Sequence, residues 1–207
     1  MKTKTIVIIL LTFFILSCNK TKNPENERTE LIEKDIDSVE VENVENKILT
    51  EKVKEFINWY GRNQTKLRDI ELVNNSRGEI IDTTKFYSVN FVNTEKYLIE
   101  FKKSGLFSEK YIESQRRYFK ECESDFTAEP ENDGPPSGFD YDLVMKSQDF
   151  EIEELIRDLK IKNLNVTAKT AKLTADFGMY YKLNFKLSKI NETWKIDDIT
   201  NLAESEN

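Results

Sequence analysis

The chain has no histidine, two cysteines, six glycines and four prolines in 207 residues. Without histidine there is no Ser-His-Asp triad, no Cys-His dyad and no histidine-ligated zinc, which removes most familiar hydrolases. Positive charge is in deficit, with 31 Lys and Arg against 38 Asp and Glu for a formal −7. An acidic chain of this kind argues against a nucleic-acid partner. Long hydrophobic runs are missing as well. The one candidate, from Thr5 to Ser17, is too short to cross a bilayer comfortably as a permanent helix.

That run follows Lys2 and Lys4 and ends at Ile15-Leu16-Ser17-Cys18. A positive flank, an apolar core and a small residue before the break read as a secretory signal over residues 1–17. A branched apolar residue three before Cys18 and a small one directly before it resemble the lipobox of bacterial lipoproteins. The resemblance implies a diacylglycerol thioether on Cys18, cleavage before it and acylation of the new amine with a chain such as palmitate, more than the two signals stable anchoring requires. The alternative is an ordinary signal peptide with an incidental cysteine. Cleavage removes Lys2 and Lys4, making the formal charge more negative by two. Once Cys18 carries lipid, Cys122 is the only thiol and no intrachain disulfide can form. Asn19 follows the cysteine where enterobacterial lipoproteins held in the inner membrane carry Asp, so by resemblance the expected site is the outer membrane, facing the periplasm.

Residues 18–48 are rich in Asn, Glu and Lys and lack aromatics; such a stretch cannot bury enough to fold alone and is expected to be a disordered tether. Asp37-Ser38-Val39 and Asp82-Thr83-Thr84 resemble the O-glycan acceptor motif of exported proteins in some Bacteroidetes-like bacteria, which makes Ser38 and Thr83 candidate modification sites. The sequence predicts a single folded domain over residues 49–200 and a disordered tail over 201–207.

Val53, Phe56, Ile57 and Tyr60 recur at helical spacing behind Thr50, a possible N-cap, with a stop expected at Gly61 or soon after. Tyr87, Val89 and Phe91 alternate as a short strand after a turn at Gly78. Thr94 is the expected cap of a second helix carrying Tyr97, Leu98 and Phe101 up to Gly105. Ser108 is that of a third, with Tyr111, Ile112, Gln115, Phe119 and Cys122 on one face. With no CxxC pattern and no cationic neighbour, Cys122 reads as a small buried hydrophobe, with a redox role as the alternative. The period then changes to two: Leu173, Ala175 and Phe177, then Tyr181, Leu183, Phe185 and Leu187, alternate with polar residues as strands with one wet face. A turn at Asn191-Glu192 leads to a closing strand with Trp194 and Ile196. Leu159 and Ile161 run out of phase with Leu164 and Val166, which predicts a bulge. Residues 159–200 hold eight lysines against Asp176, Glu192, Asp197 and Asp198, read as a solvated sheet face guarded against edge pairing.

Helices followed by an antiparallel meander ending in "ETWKIDDI" resemble the nuclear transport factor 2-like superfamily. The fold class expected is therefore α+β, with N-terminal helices packed on a curved antiparallel sheet that wraps a long helix into a cone. "YLIEFKKSGLFSEKYI" and "DGPPSGFDYDLVMKSQDF" look like segments of uncharacterised exported lipoproteins of that superfamily. The cone implies a pocket, for which Trp59, Tyr60, Tyr111, Gln148, Asp149 and Trp194 are the candidates. Superfamily isomerases and dehydratases pair a pocket Asp with Tyr donors, and Asp149 with Tyr60, Tyr111 or Tyr180 would be the counterpart. Glu129, Glu131, Asp133 and Asp140 fall in a calcium-loop register with Gly134 and Ser137, but Pro130, Pro135 and Pro136 stiffen the loop and Asp140 is short for the closing position. A fixed turn pinned by Phe139 and Tyr141 is the competing reading.

With no catalytic motif and no cofactor implied, the expected function is that of a membrane-anchored, non-enzymatic binding or accessory module for an envelope protein or a small apolar ligand. A pocket enzyme and a periplasmic immunity-type inhibitor of a toxin are the alternatives.

Overall fold

The structure is a computed structural model that describes residues 24–76, 84–148, 150–178 and 181–202, with side chains from Val44 onward. Cys18, Gly78, Thr83, Asp149, Tyr180 and the tail from residue 203 lie outside the described residues, as does the side chain of Ser38. The class is α+β: the described residues form four helices, a four-stranded antiparallel sheet and a two-stranded ribbon. Contacts divide the chain into residues Met1–Val41 and a compact unit Glu42–Asn207.

Helix α1 runs over Pro24–Arg68, beyond the predicted start and the predicted stop. Its first residue is a proline, whose fixed φ suits the first helical position, and no further glycine or proline interrupts the chain before Gly61. The stretch read as a coiled tether is thus helical from Pro24. Thr50 caps nothing: its hydroxyl donates to the Asn46 carbonyl one turn back, at 2.8 Å, inside a helix already running. Gly61 does not end the helix but lets a neighbour come close. A β-carbon there would lie 2.9 Å from Cγ2 of Ile152.

Leu49, Val53, Phe56, Ile57, Tyr60 and Leu67 form the buried stripe of α1. The chain then passes through β1 (Val73–Asn74), which pairs antiparallel with β2 (Ser88–Val89). Phe91 does not extend that strand; it opens α2 (Phe91–Ser104). The cap of α2 is Asn90, whose side chain accepts from the Asn93 amide at 3.1 Å, while Thr94 is buried and donates to the Phe91 carbonyl. Gly105 ends α2 in the left-handed region at φ 68°, and Ser108 caps α3 (Glu109–Ala128), both where the sequence places them.

A short helix, α4 (Ile152–Asp158), has no counterpart in the sequence reading. The sheet follows as a meander: β3 (Lys160–Val166), β4 (Thr170–Asp176), β5 (Lys182–Ile190) and β6 (Thr193–Asn201), in that spatial order. The predicted bulge lies between Lys162 and Asn165, with Asn163 at φ 49°. Asn191 and Glu192 both have positive φ, the signature of a two-residue hairpin turn. A second irregularity, opposite Lys186 and Leu187, lets both Ile196 and Ile199 face inward.

The apolar face of the sheet meets α1: the Phe56 ring contacts Phe185 at 5.5 Å and Phe107 at 6.0 Å. Glu45 ties the other end of the contact, accepting from Trp194 Nε1 at 3.1 Å and from Lys189 at 3.5 Å. Phe107 itself forms a parallel bridge to Ile196, so the loop after α2 lies along the edge of β6.

Candidate functional site

The residues expected to share a pocket separate into two groups. Trp59 stands edge-on to Phe101 and Phe107, at 5.2 and 5.4 Å, Tyr111 is buried against Phe107 at 4.4 Å, and Trp194 is buried beside Glu45. Tyr111 and Trp194 are core, and Trp59 packs half-buried against it. Tyr60 and Gln148 instead line a cleft of about 500 Å³ between the end of α1 and the turn 136–148.

That turn is held from below. Phe139 stacks near-parallel on Phe119 and Phe126, both at 6.2 Å, and the Tyr118 hydroxyl donates to the Gly138 carbonyl at 2.5 Å. Gly138 needs its φ of 80°, and a β-carbon there would crowd the Tyr118 hydroxyl at 3.0 Å and Cys122 Sγ at 3.2 Å. Cys122 is accordingly buried under the turn. Burial raises its pKa, which keeps it a thiol and leaves it poorly nucleophilic.

Asp142 organises the cleft wall. Its Oδ1 accepts from the amides of Val144 and Met145, at 3.0 and 2.8 Å, and its Oδ2 accepts from the Tyr60 hydroxyl. Burial and the Asp142 carboxylate both push the Tyr60 pKa far up, with Arg68 acting in the opposite direction from the other side. Tyr60 therefore stays a neutral donor. Arg68 has no carboxylate partner within salt-bridge distance among the described residues; its guanidinium donates to Gln64 Oε1 at 3.2 Å and lines the cleft mouth. Leu67, Ile70, Leu72, Val73 and Leu143 supply apolar wall. Gln148 donates to the Asp140 carbonyl at 3.1 Å.

Three of these wall groups, Arg68, Tyr97 and Asp142, were not legible as pocket residues. For Asp142 a signal existed: an Asp two and three residues before amides in a Gly/Pro-rich segment is a local turn former.

The acidic loop behaves as a turn. Glu131 Oε2 accepts from the Ser137 amide at 3.0 Å, Asp133 Oδ1 from the Gly134 amide at 2.9 Å, and Tyr87 binds both the Glu131 and the Gly134 carbonyls at 2.7 Å. Glu129 ends α3, and Asp140 lies at the cleft. Among the described residues no three acidic or thiol side chains gather as a bound cation would require. No helix among them is long and apolar enough to cross a membrane.

Compared with known proteins, the chain matches no family model, no curated protein and no solved structure.

Proposed function

We propose that the protein is a lipid-anchored module of the bacterial cell envelope that binds a small ligand, without catalysis, in the Tyr60 cleft. The observation that carries this reading is the cleft itself: about 500 Å³, apolar-walled, with Arg68, Tyr60 and Gln148 at fixed positions, the anatomy of a small-molecule site. Against acid–base catalysis stands the state of its two central groups. Asp142 is committed to two amides and a phenol, and Tyr60 is held protonated, so the phenol is not poised to exchange protons near neutral pH. The lipobox-like segment ending at Cys18 supplies the anchor, and the four-stranded meander with α1 across its apolar face supports a scaffold of the nuclear transport factor 2-like kind.

A second reading, docking of an envelope protein, draws on Phe86, Phe91 and Val92, which are large, apolar and exposed around the start of α2. The two separate in one experiment. A thermal-shift screen of small molecules is run on the wild type and on Leu143→Trp, which fills the cleft. Hits that stabilise the wild type alone support the ligand reading. Hits indifferent to the substitution, or none, remove it and leave docking, which a crosslinked pull-down from envelopes with a Cys18→Ala control then tests.

A further inference from the structure

The meander brings lysines together on its outer face. Lys160 and Lys162 of β3, Lys172 of β4, and Lys182 and Lys186 of β5 all point away from the buried residues that alternate with them. Their acids are few. Asp176 has Lys160 and Lys182 directly opposite on its two neighbouring strands and is bonded by Lys162 at 2.6 Å. Asp198 is bonded by Lys186, also at 2.6 Å, and Asp197 is taken by Lys110 and Ser188. Lys172 faces Lys186 across the strand pair, and no ion pair joins it to an acid among the described residues.

Protection of sheet edges explains lysines on β3 but not on β4 and β5. Those strands are central, with both sides already paired, so an outward lysine there deters nothing. Like charges directly opposite each other in a sheet are destabilising, and the Lys172–Lys186 pair is kept regardless. The same two lysines border a recess of about 550 Å³ lined by Asn163, Thr174, Asn184 and Thr200 together with Leu173 and Phe185. Its floor is a hydrogen-bonded row, Asn163 to Thr174 at 3.3 Å and Thr174 to Asn184 at 2.9 Å, with Thr200 beyond. It shares no residue with the Tyr60 cleft.

We infer that this outer sheet face is a second binding site, and that it takes an acidic saccharide. Lys172 and Lys186 meet the sugar's carboxylate or phosphate, and the Asn and Thr side chains meet its hydroxyls, which both donate and accept. Charge complementarity selects an anion, although the chain as a whole is at −7. The recess selects a sugar over a flat bilayer, since the one large exposed hydrophobic residue among the described residues of this face is Ile190, at the far end of β5, too little to enter lipid.

The test is calorimetric titration of the full-length Cys18→Ala chain, which carries no lipid, with tetragalacturonate, maltotetraose, polyglutamate, mannose 6-phosphate and phosphatidylglycerol vesicles. Tetragalacturonate or mannose 6-phosphate should bind, at least tenfold more weakly when salt rises from about 50 to about 300 mM. Lys172→Glu should weaken binding at least tenfold, and Lys172→Arg should retain it. Because Lys172→Glu turns a like-charged pair into an opposite one, its thermal midpoint should not fall, which separates lost binding from lost fold. Equal binding of maltotetraose, unaltered binding by Lys172→Glu, preference for polyglutamate or vesicles, or no binding of either acidic sugar would overturn the assignment.

Discussion

The Tyr60 hydroxyl donates to the Asp142 carboxylate, a contact that joins the C-terminal part of α1 to a turn 82 residues further along the chain. It fixes the cleft wall at both ends, because the other oxygen of Asp142 holds the Val144 and Met145 amides. Tyr60→Phe should cost about 1.5–3 kcal/mol, the usual value for a hydrogen bond to a charged group. Asp142→Asn, which retains an acceptor for the amides and offers a donor to the phenol oxygen, should cost less than Asp142→Ala. Urea unfolding of the three variants ranks them, and an order with Asn as damaging as Ala would remove the turn-forming role given to Asp142.

Close packing at Gly61 is a matter of one methyl group. Alanine is the better helix former by about 1 kcal/mol, yet its β-carbon would press on Ile152. Gly61→Ala should therefore destabilise the wild type and stabilise an Ile152→Ala background. A double-mutant cycle measures this directly, and additive effects would mean that the two residues do not touch.

Asp176 gives the sheet a pH dependence. The bond from Lys162 and the Gly178 amide hold its pKa below the ordinary 3.8. A carboxyl that ionises more easily folded than unfolded contributes fully above the unfolded value, and loses that contribution as pH falls through the folded one. The stability difference between the wild type and Asp176→Asn should thus be constant at neutral pH and shrink below about pH 4. Denaturant midpoints across pH 2–7 check it; a difference that grows in acid would reverse the sign.

Thiol chemistry reports the anchor. Native mature protein should be unreactive to a thiol reagent, since Cys122 is buried under Gly138. In urea the lipidated form should titrate as one thiol per chain, and labelled palmitate should enter the wild type but not Cys18→Ala. Two titratable thiols in the envelope form would remove the anchor.

Much of this fold is written locally. Ser108, Gly105, the Asn191-Glu192 turn and the out-of-phase Leu159, Ile161, Leu164 and Val166 all act on their near neighbours, and each stands where its chemistry places it. What escaped the sequence depended on distant partners. Gly61 resembles a stop until Ile152 is known to lie against it, and Thr94 reads as a cap until it is seen to be buried, with Asn90 in that place. The pocket was harder still. Trp59, Tyr111 and Trp194 have the right chemistry for a ligand wall, but Tyr111 and Trp194 went to the core and Trp59 packs half-buried against it, since large aromatic rings bury the most surface. Arg68 entered the cleft only because α1 continues past Gly61.

The contact of Phe56 with Phe185 sets an order of events in folding. The strands of the meander can pair with their sequence neighbours as soon as they exist, but the ring of Phe56, on a helix made long before them, has no aromatic partner on the sheet until β5 appears. Loop closure over so great a separation is entropically costly and slow. A nascent chain therefore carries the apolar stripe of α1 uncovered through most of its synthesis, and its hydrophobic core closes only when the last third of the polypeptide has been delivered.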